Sequence, residues 1–343
     1  MHKTKLIISI FSLLTLLSLP TSAQVRKSGS IFTDASKPSV TPPTSEEIKT
    51  ALPNATVIRE ITYCKVGARE LRMDAYLPNN RGANLSSPLL YIHGGAWISG
   101  DKDDGPIEQD LSELLTRGYA VFSINYRLGP LSKFPSQIED CKCAVRSLRA
   151  NAAKYSIDAR RIGVWGSSAG GHLAAFLGTT NGISQLEGYG GYPEQSSAVQ
   201  AVGTYFAPAD LTTSDWSFID NLGFLLVFGT SKNWSKASPI TYVSKDDAPF
   251  FVVGGDRDDF VEVQQPMAMF TKLQAVGVPS ELLIVKNCAH EFAPKGGALN
   301  PTRGEVTKQL AAFFDKNIRA ISWQSFDLQS ARGITSRQSA VTR

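Results

Sequence analysis

Charge of one sign, cysteine, histidine and long apolar runs are all in short supply in this 343-residue chain. Its 35 basic and 31 acidic residues leave a net charge of only +4. That gives no long-range field suited to nucleic acid, and no dense Lys/Arg cluster makes up for it. The four cysteines, Cys64, Cys141, Cys143 and Cys288, are too few for a disulfide scaffold, and no pair has metal-finger spacing with histidines nearby. Neither a metal nor another cofactor is expected. Cys141 and Cys143 lie two apart in a predicted helix, so they point to different faces and are poor mutual partners. Buried free thiols are the expectation, with a disulfide in an exported protein as the alternative. One apolar run stands out, Leu6 to Leu19, and its roughly 14 residues fall short of the ~20 that span a bilayer. What remains is 42% hydrophobic and 19% charged, the composition of a soluble globular protein with enough apolar residues for a substantial core.

The apolar run follows the basic segment His2-Lys3-Thr4-Lys5 and precedes the small residues of Pro20-Thr21-Ser22-Ala23. This three-part plan predicts a secretory signal peptide over 1–23, cleaved after Ala23, and a mature protein in the periplasm or the medium. A Ser/Thr/Pro-rich stretch over 24–45 reads as a flexible linker and the Ser/Gln/Arg-rich 321–343 as a loose tail. The region 46–320 between them shows no internal repeat and reads as one domain. Val57 to Cys64 and Leu71 to Leu77 read as strands forming an antiparallel start. Short apolar strands then alternate with amphipathic helices: Pro88 to His93, a helix marked by Leu111, Leu114 and Leu115, Tyr119 to Tyr126, and a helical stripe from Ile138 to Ala152. Ile162 to Trp165, Val199 to Phe206, Phe250 to Val253 and Leu282 to Val285 complete the strands, with helices at Gln264 to Ala275 and Glu305 to Ile318. Such alternation predicts an α/β fold: a mostly parallel sheet covered on both faces, with chemistry beyond the carboxyl ends of its strands.

At one such end, Ile162-Gly163-Val164-Trp165 runs into Gly166-Ser167-Ser168-Ala169-Gly170, and a helix follows. Gly-x-Ser-x-Gly in this strand–turn–helix setting marks Ser168 as a nucleophile on a strained turn. A serine hydroxyl needs a base, and beyond the leader the chain holds only His93, His172 and His290. His172 sits one turn after Ser168, where packing or hydrogen bonding near the elbow is its expected role, and His93 precedes the nucleophile. The order Ser, acid, His leaves His290, in a loop after the last strand. The acid lies among Asp256, Asp258 and Asp259, which spacing does not separate; Asp259 also suits a helix cap and Asp256 a bond to its own loop. His93-Gly94-Gly95-Ala96-Trp97 follows another strand, and the amides of Gly94 and Gly95, with that of Ala169, suit an oxyanion hole. Leu211 to Lys236 is irregular and rich in large apolar residues. It reads either as a small insertion shaping a pocket or as an ordinary packed helix, and Trp97, Trp216 and Phe218 are the candidate pocket walls.

Together with Asn125-Tyr126-Arg127-Leu128, Asp140 and Ser238-Pro239-Ile240, these motifs resemble the α/β-hydrolase superfamily of serine esterases. Within it the chain is similar to exported bacterial feruloyl and acetylxylan esterase-like proteins, sisters of the hormone-sensitive-lipase branch. The resemblance covers about Val57 to Ile318. Its Gly-Asp-x-Asp-x-x-Val pattern matches Gly255-Asp256-Arg257-Asp258-Asp259-Phe260-Val261, which implies Asp258 as the acid of a Ser168–Asp258–His290 triad. The family's glycine before the histidine is Ala289 here, and its usual His-Gly before the acidic pair is Gly254-Gly255. The implied activity is cofactor-free cleavage of a small-molecule or carbohydrate-linked ester. The same triad could serve an arylformamidase, a small amidase or an exopeptidase, and a non-catalytic binding protein on the hydrolase fold is the reading from a different class. Sequence does not address the oligomeric state.

Overall fold

In a computed structural model of the chain, the described residues are 55–319, except 81–83, 105–106, 214–215 and 217; of 107 and 218–222 only the backbone is described. The expected leader, linker and tail lie outside them. Eight strands form one sheet in the order β1-β2-β4-β3-β5-β6-β7-β8. They are β1 (Ala55–Val66), β2 (Arg69–Pro78), β3 (Pro88–Ile92), β4 (Ala120–Ile124), β5 (Gly163–Ser167), β6 (Ala201–Tyr205), β7 (Phe250–Gly255) and β8 (Ser280–Val285). β2 is antiparallel to both of its neighbours, and every pairing from β4 to β8 is parallel. The antiparallel start and the parallel remainder therefore both stand, with boundaries shifted by a few residues.

Side chains alternate across a pleated strand, and here both faces are dry. Leu90, Ile92, Phe122, Val164, Val202, Phe250 and Val252 share one apolar cluster, while Leu89, Tyr91, Val121, Trp165, Tyr205, Phe251 and Val253 belong to a second. The first face is covered by α2 (Ser136–Ala150), α4 (Ala169–Thr179) and α6 (Gln264–Ala275), the second by α1 (Ile107–Thr116) and α7 (Arg303–Ile318). This explains why the central strands read as nearly unbroken apolar runs. The predicted stripe to Ala152 breaks at Asn151, and Ala152 opens the short α3 (Ala152–Tyr155). The irregular segment contains α5 (Phe218–Phe228), whose Phe224, Val227 and Phe228 join the first cluster beside Trp97. It is a packed helix and, through Trp97, also touches the loop after β3.

The cysteines depart from the expectation of free thiols. Cys64 on β1 and Cys143 on α2 form a disulfide, with Cα atoms 6.4 Å apart. Cys141 and Cys288 stay free and buried. Sequence could not select this pair because it depends on where α2 crosses the far end of the sheet. The bridge closes a loop of 79 residues, a constraint on the unfolded chain typically worth ~2–5 kcal/mol. The Cys64→Ala, Cys143→Ala double variant is therefore expected to melt at least several degrees below the wild-type protein. Reductant should lower the wild-type melting temperature toward that of the variant and leave the variant unmoved, as calorimetry with and without reductant will show.

Candidate active site

Ser168 stands between β5 and α4 with φ 54° and ψ −120°, a backbone region that costs free energy for any residue bearing a side chain. The surroundings hold it there. Its N–H donates to the Tyr205 carbonyl at the end of β6 (2.8 Å), and its own carbonyl accepts the His172 N–H in the first turn of α4 (3.0 Å). The turn is tight because α4 rests directly on the end of β3. A methyl group on Gly170 would stand 2.5 Å from the His93 carbonyl oxygen, and one on Gly166 would stand 2.7 Å from that of Ile92. Only glycine fits at either place.

β7 and β8 bring the other two residues to the same edge. Asp258 Oδ1 accepts the backbone N–H groups of Phe260 (2.8 Å) and Val261 (3.0 Å), which turns Oδ2 toward His290 Nδ1 at 2.7 Å. On the other side of the ring, His290 Nε2 lies 2.9 Å from Ser168 Oγ. The Asp258 side chain is fully buried and that of His290 is 18% exposed. A carboxylate against Nδ1 favours the tautomer carrying its proton there, so Nε2 is left to accept from the serine hydroxyl. Phe206 and Phe260 flank the imidazole at ring separations of 5.7 and 5.5 Å. Sequence reasoning missed both, since their places depend on how the loops fold back.

The neighbouring aspartates serve other ends. Asp256 Oδ1 accepts the Cys288 N–H (3.2 Å), tying the two loops together. Asp259 pairs with Lys295 at 2.6 Å. It does not cap α6, which begins only at Gln264 after Val263.

The two remaining histidines are buried and held neutral. His172 Nε2 donates to the Ala237 carbonyl (2.8 Å) while Nδ1 accepts from the Trp97 indole N–H (3.2 Å). Burial pushes its pKa down to about 4. Burial likewise lowers that of His93, whose ring stacks on Tyr126 at 4.4 Å. His93 Nδ1 donates to the Gly94 carbonyl (2.7 Å). In a trans peptide the N–H points opposite to the carbonyl, so this bond fixes the Gly95 N–H facing away from the His93 ring. Gly94 lies against Ser168: a methyl group there would stand 3.4 Å from Ser168 Cβ. Ala169 opens α4, so its N–H has no intrahelical acceptor.

Of the candidate pocket walls, Trp97 is buried and engaged with His172, Phe224 and Phe228. It belongs to the core under the site rather than to an open wall. Trp216 lines a shallow depression with Glu262, Gln264 and Gln265, and its indole N–H donates to the Asp210 carbonyl. The side chain of Phe218 lies outside the described residues. Among the described residues no cluster of His, Cys, Asp or Glu could hold a metal ion, and no helix is long and apolar enough to cross a membrane. A hydroxyl, an imidazole and a buried carboxylate in one hydrogen-bonded line, beside amides at a strand end, are the parts of nucleophilic acyl transfer.

The family described as BD-FAE matches residues 73–273. The esterase LipC of Mycobacterium tuberculosis is 33% identical over 195 residues, covering 55% of this chain and 48% of LipC. The esterase LipQ of the same organism is 31% identical over 237 residues, covering 66% of this chain and 55% of LipQ. The chain thus spans about half the length of these curated relatives. Among solved structures, a truncated carbohydrate esterase from gut microbiota superposes with a TM-score of 0.66 at 28% identity, covering 76% of this chain and 95% of that one.

The buried His172 makes stability depend on pH. Its folded-state pKa of about 4 lies below the unfolded value of ~6.5, so between those limits the unfolded chain binds the extra proton. The contribution, on the order of 3 kcal/mol, is fully present above pH ~6.5 and is lost as pH falls toward 4. His172→Gln is expected to melt lower at pH 7 and to show a shallower fall in melting temperature between pH 6.5 and 4 than wild type. Equal slopes in the two proteins would contradict a neutral His172.

Proposed function

The chain belongs to the BD-FAE family of α/β-hydrolases, and from that premise we propose that it is a serine carboxylesterase working through an acyl-enzyme. The observation that carries this reading is the unbroken line from Asp258 through His290 to Ser168, at 2.7 and 2.9 Å. Ser168 Oγ attacks the ester carbonyl while His290 Nε2 takes its proton. Asp258, fixed by two backbone amides, orients the imidazole and stabilises the imidazolium. The amides of Gly94, Gly95 and Ala169 receive the oxyanion. His290 then protonates the departing alcohol, and water, activated by the same imidazole, releases the acid. The substrate class is a small or carbohydrate-linked ester, a reading supported by the carbohydrate esterase among the structural neighbours.

The protein acts outside the cytoplasm in this proposal. The leader-like N-terminus supports it, and so does the Cys64–Cys143 disulfide, since such bonds persist in oxidising compartments. Protein recovered from periplasm or medium with Gln24 at its N-terminus is the expected result; intact Met1 on a cytoplasmic protein would contradict it.

The test of mechanism uses p-nitrophenyl esters, methyl ferulate, acetylated xylan and N-formylkynurenine as a panel that also separates ester from amide cleavage. Ser168→Ala and His290→Ala should each remove activity by a factor of about 10⁴ or more, with the double variant no worse than either, because the pair acts as a unit. Asp258→Asn should lower kcat by up to about 10⁴ through the wrong imidazole tautomer. Asp256→Asn should leave kcat within about tenfold, since its carboxylate meets loop backbone rather than the ring. Activity surviving in Asp258→Asn but lost in Asp256→Asn would move the acid by two residues.

A further inference from the structure

Glu291 follows His290 directly and has φ 55° and ψ 41°, with Phe292 also at positive φ. This turn sends Phe292 into the core against Tyr205 and Phe206 and leaves the Glu291 side chain exposed beside the loop after β3. A methyl group on Gly94 would stand 3.1 Å from Glu291 Oε1 and 3.4 Å from Ser168 Cβ. The carboxylate is therefore no more than about 6.5 Å from the nucleophile's Cβ, the two distances laid end to end. It makes no hydrogen bond or ion pair among the described residues. The lysines of the adjoining loops are committed elsewhere, Lys295 to Asp259 and Lys286 to Asp256. A carboxylate with no ion pair among the described residues thus stands beside Gly94 and close to Ser168, with the Arg303 guanidinium, over the neighbouring Phe292 ring and paired with Asp110, the cation next to its turn.

We infer that Glu291 sets the charge selectivity of the site: it disfavours esters carrying an anionic group near the scissile carbonyl and favours neutral or cationic ones. This rests on the esterase reading. Two unit charges a few ångströms apart repel by an amount that depends on the local dielectric, and even in bulk water the effect at ~6 Å corresponds to about a threefold change in rate. A partly desolvated mouth raises it. The repulsion acts through charge alone, so it weakens as salt screens it.

The experiment measures kcat/KM for two neutral–anionic pairs, phenyl acetate with 4-acetoxybenzoate and p-nitrophenyl butyrate with p-nitrophenyl hemisuccinate. The neutral-to-anionic ratio is compared between wild type, Glu291→Gln and Glu291→Lys, so that effects common to both members of a pair cancel. Glu291→Gln is expected to lower the ratio at least about threefold in one pair or both, and Glu291→Lys to lower it further. Sodium chloride at ~1 M should narrow the wild-type ratio and leave that of Glu291→Gln unchanged. Ratios within twofold of wild type in both variants, with turnover intact, would overturn the selectivity role and leave the esterase reading standing. Absence of turnover of all four esters by the wild-type protein would overturn both.

Discussion

The close seating of α4 on the ends of β3 and β5 is the constraint from which the rest of the site follows. It requires glycine at 166 and 170, because a side-chain carbon at either would run into the backbone of β3. With the helix so near, the chain can turn from strand to helix only by placing Ser168 at positive φ. That projects its side chain out of the turn, and bonds to the Tyr205 carbonyl and the His172 amide hold it there. The cost of the strained residue is offset by a helix whose eleven residues are all buried. Because β3 ends beside the elbow, its following loop brings Gly94 against Ser168, and His93 beneath that loop fixes the peptide carrying the Gly95 amide.

Parallel pairing then places the partners. β7 and β8 run side by side with Gly255 opposite Val285, so the loops leaving them emerge together. They are braced where they emerge: the Asp256 N–H donates to Val285, the Arg257 N–H to Cys288, and the Cys288 N–H to the Asp256 carboxylate. Asp258 and His290 are thereby held at hydrogen-bonding distance on a rigid edge, which is what preorganised acid–base chemistry needs. The brace also explains the loss of the glycine usual before the histidine. Ala289 takes an extended conformation, φ −85° and ψ −172°, open to any residue.

Much of this was legible in the sequence. The elbow announced itself because glycine, serine and glycine at that spacing sat between an apolar strand and a helix, and His290 emerged because only three histidines had to be weighed. The alternation of short apolar strands with amphipathic helices gave the parallel sheet, and Thr302 with Glu305, which form a capping box at the start of α7, fit the helix read from Glu305. Three features were not legible, each for a physical reason. Asp256, Asp258 and Asp259 have the same chemistry, and what separates them is which backbone amides or cations the folded loop offers each one. The Cys64–Cys143 pairing depends on the crossing of two elements 79 residues apart. Trp97 looked like a pocket wall because it adjoins the glycine loop, yet its indole is consumed by His172 and two phenylalanines; only packing reveals that.

In the proposed mechanism Ser168 is a nucleophile activated by His290 and Asp258, and covalent capture reads that out. A fluorophosphonate that mimics the tetrahedral intermediate, followed by peptide mass spectrometry, should leave a single adduct on Ser168 of the wild-type protein. Labelling should be abolished by Ser168→Ala and slowed by orders of magnitude in Asp258→Asn. A folded protein that hydrolyses esters while carrying the adduct on another residue, or while resisting the reagent altogether, would contradict the account.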